Sequence, residues 1–177
     1  MPRPTIEQVR GLGDFATIYQ WNLTFASFPT VLNGGAFPAT EDLNLRMISS
    51  TLPTKGNVDQ EINIRGHKIS QAGQADYGDR SITLTFFETV DNIVSNFFLA
   101  WEETCVQTLT GAHGSKAQSQ CSIIIERLNR QDQPIFIYNL IGCRLLNYTQ
   151  PDLSGEDDTF KPSVTIKYDY FTKQSVS

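Results

Sequence analysis

With 177 residues, 40% of them hydrophobic and 19% charged, the chain is long enough to bury a core as one domain without metal or disulfide help. Its 19 acidic against 14 basic residues give a net charge of −5, with no Lys/Arg block, which argues against a protein that grips nucleic acid by neutralising phosphates. Three widely spaced cysteines, Cys105, Cys121 and Cys143, read as reduced interior thiols rather than a disulfide framework, and 11 Phe, 6 Tyr and 2 Trp tilt the fold toward strands.

The lead 1–14, "MPRPTIEQVRGLGD", lacks the apolar core of a signal peptide, so the chain is expected to fold in a cytoplasm. A helical turn there would present Ile6, Val9 and Leu12 to a partner surface. Period-2 alternation then predicts a strand over "TIYQWNLTFASF", with Tyr19, Trp21, Leu23 and Phe25 on one face. The pattern recurs in "LNLRMISS" through Leu43, Leu45 and Met47, in "EINIRGHKIS" through Ile62 and Ile64, and in "SITLTFFET" through Ile82, Leu84 and Phe86. One helix is expected in "TVDNIVSNFFLAWEETC", capped by Thr89 or Asp91 and carrying the core stripe Ile93, Val94, Phe97, Phe98, Trp101 and Cys105. Burying that stripe contributes roughly 8–15 kcal/mol gross, so the helix must dock on a sheet.

Three further strands follow: "CSIIIERLN", "PIFIYNLIGCRLLNY" with a bulge or bend at Gly142, and "SVTIKYDYF" with Val164, Ile166, Tyr168 and Tyr170 facing inward. About seven strands and one packed helix make an all-β-dominated antiparallel barrel or sandwich in a single domain over 1–177. The connections are unusually long: "PTVLNGGAFPATED", "QAGQADYGDR", "VQTLTGAHGSKAQSQ", and above all the polar arm Ser50–Gly66, "STLPTKGNVDQEINIRG". That arm is read as a contact to another copy of the chain; a surface hairpin serving only its own subunit is the alternative.

Chemistry is not encoded in any recognisable pattern. His67 and His113 stand apart from any Cys or Asp at metal-ligand spacing. The stretch "DLSGEDD" lacks the first glycine of a nucleophile elbow, and "GAHGSKAQ" has the wrong register and follows a helix that a P-loop would precede. The neighbouring carboxylates Glu102 and Glu103, or Asp157 and Asp158, are not held across a cleft. The chain is read as no enzyme, with no catalytic residue, metal or cofactor; a β-barrel enzyme or carbohydrate-binding module is the distant alternative.

The order of elements resembles the tail tube proteins of contractile-tailed bacteriophages, which share their fold with the Hcp tube of type VI secretion. The resemblance runs over most of 12–171. It rests on "GDFATIYQWNLTF", "ISSTLPTKGNVDQEINIRGHKISQAG", "YGDRSITLTFFETVDNIVSNFFLAWEE", "LTGAHGSKAQSQ" and the final "VTIKYDYF". It implies six-fold rings whose sheets join edge to edge into one inner barrel, stacked into a virion tail tube that conducts DNA. It also implies tail sheath and baseplate proteins as partners, and assembly in the host cytoplasm. On that reading Leu52 and Pro53 anchor the next ring, with Lys55, Asp59 and Gln60 as polar rim. Candidate lumen residues are Asn44, Asn63, Ser122 and Glu126, with Arg46 and Arg65 on the same faces. The loop "PTVLNGGAFPATED" is longer than the first hairpin of typical major tube proteins. A tube initiator, completion or baseplate protein, or the tube of a non-viral injection machine, therefore stays open beside the main tube subunit.

Overall fold

The computed structural model describes residues 18–28, 40–153 and 158–176. The expectations for Ile6, Val9 and Leu12, for the Gly-Asp-Phe lead, for most of the loop 29–42 and for Asp157 lie outside them. Among the described residues nine strands form two antiparallel sheets. Seven strands follow the order β1–β6–β7–β8–β5–β2, with β9 also on β7, and β3 pairs only with β4. Their spans are β1 (Trp21–Ser27), β2 (Met47–Ser50), β3 (Gly56–Ile64), β4 (His67–Asp76), β5 (Ser81–Phe86), β6 (Cys121–Leu128), β7 (Pro134–Thr149), β8 (Ser163–Lys167) and β9 (Tyr170–Ser175). Three helices accompany them: α1 (Thr40–Leu45), α2 (Ile93–Cys105) and the single turn α3 (Lys116–Ser119).

The sixteen-residue β7 belongs to both halves of the large sheet. Its first half pairs with β6 and β9, its second half with β8, and the break falls at Gly142. There φ is +70°, and a Cβ would come within 2.4 Å of Asp169 Oδ2, so glycine suits the bend where the same chain passes from β8 to β9 alongside it. The bend that a strand glycine predicts is thus present. It folds the sheet around one core in which Leu23, Ile82, Leu84, Ile123, Ile125, Leu140, Val164 and Ile166 are buried from both halves.

Helix α2 fills that core with Val94, Phe97, Phe98 and Trp101, all fully buried, while Ile93 and Cys105 are half-buried. Trp101 stacks on Phe98 at 6.2 Å and meets the Phe25 ring edge-on at 6.3 Å. Neither expected cap is used. Asn92 is the N-cap residue with a left-handed backbone and no side-chain cap, and Glu88 reaches in from outside the helix. Its carboxylate accepts from Val94 N–H at 3.2 Å and Ser95 N–H at 2.6 Å. It also accepts from the Ser95 hydroxyl at 2.6 Å, and Tyr148 on β7 donates to that hydroxyl at 2.7 Å. The helix start is thereby tied to the sheet.

Burial alone would push the Glu88 carboxyl up, but bonds from Ser95, Thr89 and Val94 outweigh it and hold the carboxyl below its ordinary value of 4.5. A depressed carboxylate stabilises the fold above its unfolded-state pKa and loses that contribution as pH falls through the lower folded value. Glu88→Ala is therefore expected to lower stability by about 1–2 kcal/mol at neutral pH. The gap between variant and parent should shrink as urea titrations are taken below about pH 4.5. A gap that stays constant down to pH 3 would refute the assignment.

Three of the strands expected from alternation fold differently. In "LNLRMISS" the spacing of Leu43, Leu45 and Met47 does not mark one strand: residues up to Leu45 close a helical turn, with Glu41 and Asp42 in its first turn, and only Leu43 is buried. The segment "EINIRGHKIS" is two strands, turned at Arg65 and Gly66 with φ of +48° and +84°. Both positive angles fit a type I′ hairpin turn, whose twist matches that of paired strands. The arm 50–66 and the stretch "QAGQADYGDR" are thus mostly β3 and β4 rather than loops. Finally, "SVTIKYDYF" breaks after Lys167. Val164, Ile166 and Tyr168 are buried, but Tyr170 starts β9 and is 48% exposed, because the chain changes partner at the Gly142 corner.

Candidate assembly interface

Three surfaces stand out among the described residues. The first is the β3–β4 hairpin. Register pairs Ile62 with Ile69, Gln60 with Gln71 and Ile64 with His67, so these side chains share a face with Val58. Asp59, Glu61, Asn63 and Lys68 share the other, where Lys68 bridges Glu61 at 2.6 Å between two largely exposed side chains. Val58, Ile64 and Ile69 are each more than half exposed. A two-stranded sheet of this kind is at best marginally stable in water, and among the described residues it pairs with no further strand and its apolar face stays largely exposed. Its root is fixed: Tyr77 lies between Lys55 and Arg80, whose cations sit 5.7 and 5.3 Å from the ring centroid, and it meets Phe171 edge-on.

Of the residues expected at the inter-ring contact, Asp59 and Gln60 stand on the hairpin, on opposite faces. Leu52 is 42% exposed beside the end of β2. Pro53 is buried within its own chain, and Lys55 serves the hairpin root.

The second surface is the seam between β1 and β2, the end strands of the main path, each paired with one strand only among the described residues. Asn44 in α1 covers part of the β1 edge: its Oδ1 accepts from Leu23 N–H at 3.0 Å, and its amide donates to Asn22. Beside it runs a groove with Ile18, Trp21, Ser50 and Leu52, continuous with a second one holding Tyr19, Leu45 and Ile48. Ile18 is 96% exposed and Leu45 83%.

The third surface is the outward face of β2, β5, β8 and the second half of β7. Cross-strand rows there read Ser49, Thr85, Ser163, Thr149, then Thr83, Thr165, Asn147, then Ser81, Lys167, Arg144. No acidic side chain interrupts these rows of hydroxyls and one amide, and both cations sit at the corner end.

The residues expected to line a lumen do not gather on that face. Ser122 and Glu126 point outward from β6, where Asn22 donates to Glu126 at 3.4 Å. Asn44 joins them through Asn22, whereas Arg46 leaves α1 to bond Thr89 at 2.7 Å. Asn63 and Arg65 are on the hairpin and its turn. Alternation reports which residues share a strand face but not which faces share a wall, so the threonine rows, contributed by four separate segments, were not singled out.

Elsewhere, His67 is exposed on the hairpin and His113 forms an isolated bridge with Val106. Cys121 and Cys143 are buried directly opposite each other on β6 and β7, and contact with Cys143 together with burial pushes the Cys121 thiol up. Among the described residues no helix is long and apolar enough to cross a membrane, and no three His, Cys, Asp or Glu side chains gather where a metal ion would bind.

No protein-family model matches the chain, and no curated protein matches it by sequence. Solved structures do match by shape. A chain of the six-fold symmetrised anti-feeding prophage baseplate is 13% identical over 94% of this chain and 99% of its own length, with a TM-score of 0.65. A chain of the anti-feeding prophage tube-terminating cap is 14% identical over 93% and 94%, with a TM-score of 0.66. A chain of the sheath–tube complex of an extracellular contractile injection system, PVC, in its extended state is 14% identical over 98% and 100%, with a TM-score of 0.63. The fold is that of tail-tube-like proteins of contractile injection systems, and the likeness is structural and distant.

Proposed function

We propose that the chain is a structural subunit of the tube of a contractile tail, built as closed rings that stack into a hollow cylinder, and that it carries no catalytic site. The observation that carries this reading is the β3–β4 hairpin, which contributes no residue to the buried core and offers an apolar face left exposed among the described residues. Open edges on β1 and β2 support ring closure, since identical chains joined edge to edge pair every exposed strand. A virion tail conducting DNA is the first form of the reading. The tube, cap or baseplate of a non-viral injection particle is the second, favoured by the anti-feeding prophage and PVC neighbours. Tail sheath and baseplate proteins are the implied partners in either form.

In this reading the threonine-rich face of β2, β5 and β8 is the lumen wall, and Ser122 and Glu126 look away from it. A wall of small hydroxyls exchanges hydrogen bonds with water and holds nothing tightly. Six chains of charge −5 give a ring of −30, which favours passage of DNA over binding. The purified chain is expected to form rings or tubes at high concentration; a monomer at about millimolar concentration, by light scattering and electron microscopy, would sink the reading. The lumen assignment has its own check. In a Cys105→Ser background, Thr165→Cys in assembled tubes should react with a polymer-bearing maleimide at less than about a tenth of its rate in free subunits, while Thr172→Cys on β9 keeps reacting. Equal rates at Thr165→Cys before and after assembly would place that face outside.

A further inference from the structure

We propose that Cys121 and Cys143 are a redox pair: in the folded chain a small-molecule disulfide oxidises the two thiols to one cross-strand disulfide, which pins β6 to β7 beside the Gly142 corner. Nothing in the pair depends on the tube reading. The two residues face each other directly in the antiparallel β6–β7 ladder. Opposed residues in such a ladder have Cα atoms about 4.5 or 5.5 Å apart, and a disulfide accepts roughly 4.4–6.8 Å, so the bridge asks for rotation of two side chains and no displacement of the strands. Both are free thiols, 3% and 0% exposed, and their side chains are in contact. Cys105, the third thiol, is half-buried at the end of α2 and stands outside that register. The link would fall where the ladder is weak. Pairing of β6 with β7 shifts between Cys121 and Ile123, opposite the bend at Gly142, and beyond Cys143 the strand β7 continues on β8. Cys121 is also the first residue of β6, so opening of that strand end alone brings its sulfur to solvent.

Oxidised glutathione serves as the oxidant. The Cys121 thiolate attacks one of its sulfurs and releases one glutathione thiolate; Cys143, as thiolate, then attacks the Cys121 sulfur of the mixed disulfide and releases the second. Two electrons and two protons pass from the pair to glutathione, and one S–S bond breaks as another forms. Contact with Cys143 and burial hold the Cys121 thiol above its ordinary value of 9.0, so the first attack waits for the strand end to open and is slow. The test incubates the whole chain for a day at neutral pH with excess oxidised glutathione and no denaturant, then alkylates it with iodoacetamide in denaturant. One alkylated cysteine is expected, with a tryptic species joining 117–127 to 131–144. The oxidised chain should melt about 5 °C or more above the same chain treated with dithiothreitol. Cys143→Ala should show neither the link nor the shift, and Cys105→Ser should show both. Three alkylated cysteines, glutathione left on Cys121, a link through Cys105, or a melting temperature no higher after oxidation would each overturn the pair, and none of them bears on the tube reading.

Discussion

A chain in which residues 57–75 are replaced by an Asn-Gly turn should melt within about 2 °C of the parent yet form no tube longer than a single ring. The excision is geometrically simple, because Gly56 and Asp76 face each other in register at the hairpin root and a two-residue turn closes that distance. No residue between them belongs to the buried core, so folding loses no packed side chain. Tyr77 stays between Lys55 and Arg80, and the shorter connection costs slightly less closure entropy than the native one. If the hairpin served only its own subunit, this change would be neutral or mildly stabilising and tubes would be normal. If it is the ring-to-ring contact, unfolding is unchanged and stacking disappears. Thermal unfolding of the monomer and tube length by microscopy separate the two outcomes, and tubes of normal length would refute the assembly role.

What alternation made legible was the part of the fold with one wet and one dry face. β5, β6 and β8 bury every second residue, so Ile82, Leu84, Phe86, Ile123, Ile125, Val164 and Ile166 could be assigned to the core one by one. Gly142 was legible for a different reason, since a glycine inside a long apolar strand has few uses other than a bend. The hairpin was not, because no face of it is buried in the monomer. Its turn is Arg-Gly rather than Asn-Gly or Asp-Gly, and it asks Arg65 for a left-handed backbone that favours other residues.

Helix α1 was missed because Leu43 and Leu45 satisfy a strand period as well as a short helical turn, and one turn is too brief for periodicity to decide. The cap of α2 was missed because Glu88 lies outside the helix, five residues before Ile93, where no capping pattern looks. The seam was beyond sequence reasoning altogether. Its walls come from residues 18–21, 44–52 and 125–127, and only the strand order brings them together. Contact sites made by topology leave no local signal, whereas catalytic motifs often do.

Trp101→Ala should cost about 3–5 kcal/mol, the largest loss expected from truncating any single side chain of α2. Three things fail together. The indole is fully buried among Phe25, Phe97 and Phe98, with ring centroids 6.1 to 6.3 Å away, so its removal leaves a cavity that three rigid rings cannot easily collapse into. Its Nε1–H donates to the Ser119 carbonyl at 2.9 Å, tying α3 and the start of β6 to the helix, and that acceptor would lose its partner. Phe98 would also lose its stacked neighbour on one side while keeping Tyr148 on the other. Trp101→Phe isolates the second effect: it restores most of the volume but not the donor, so about 1–3 kcal/mol should be lost. Urea titrations of the two variants read both numbers, provided the slope with denaturant stays that of the parent. A loss below about 1 kcal/mol for Trp101→Ala would mean that α2 is not the element holding the two halves of the sheet around one core.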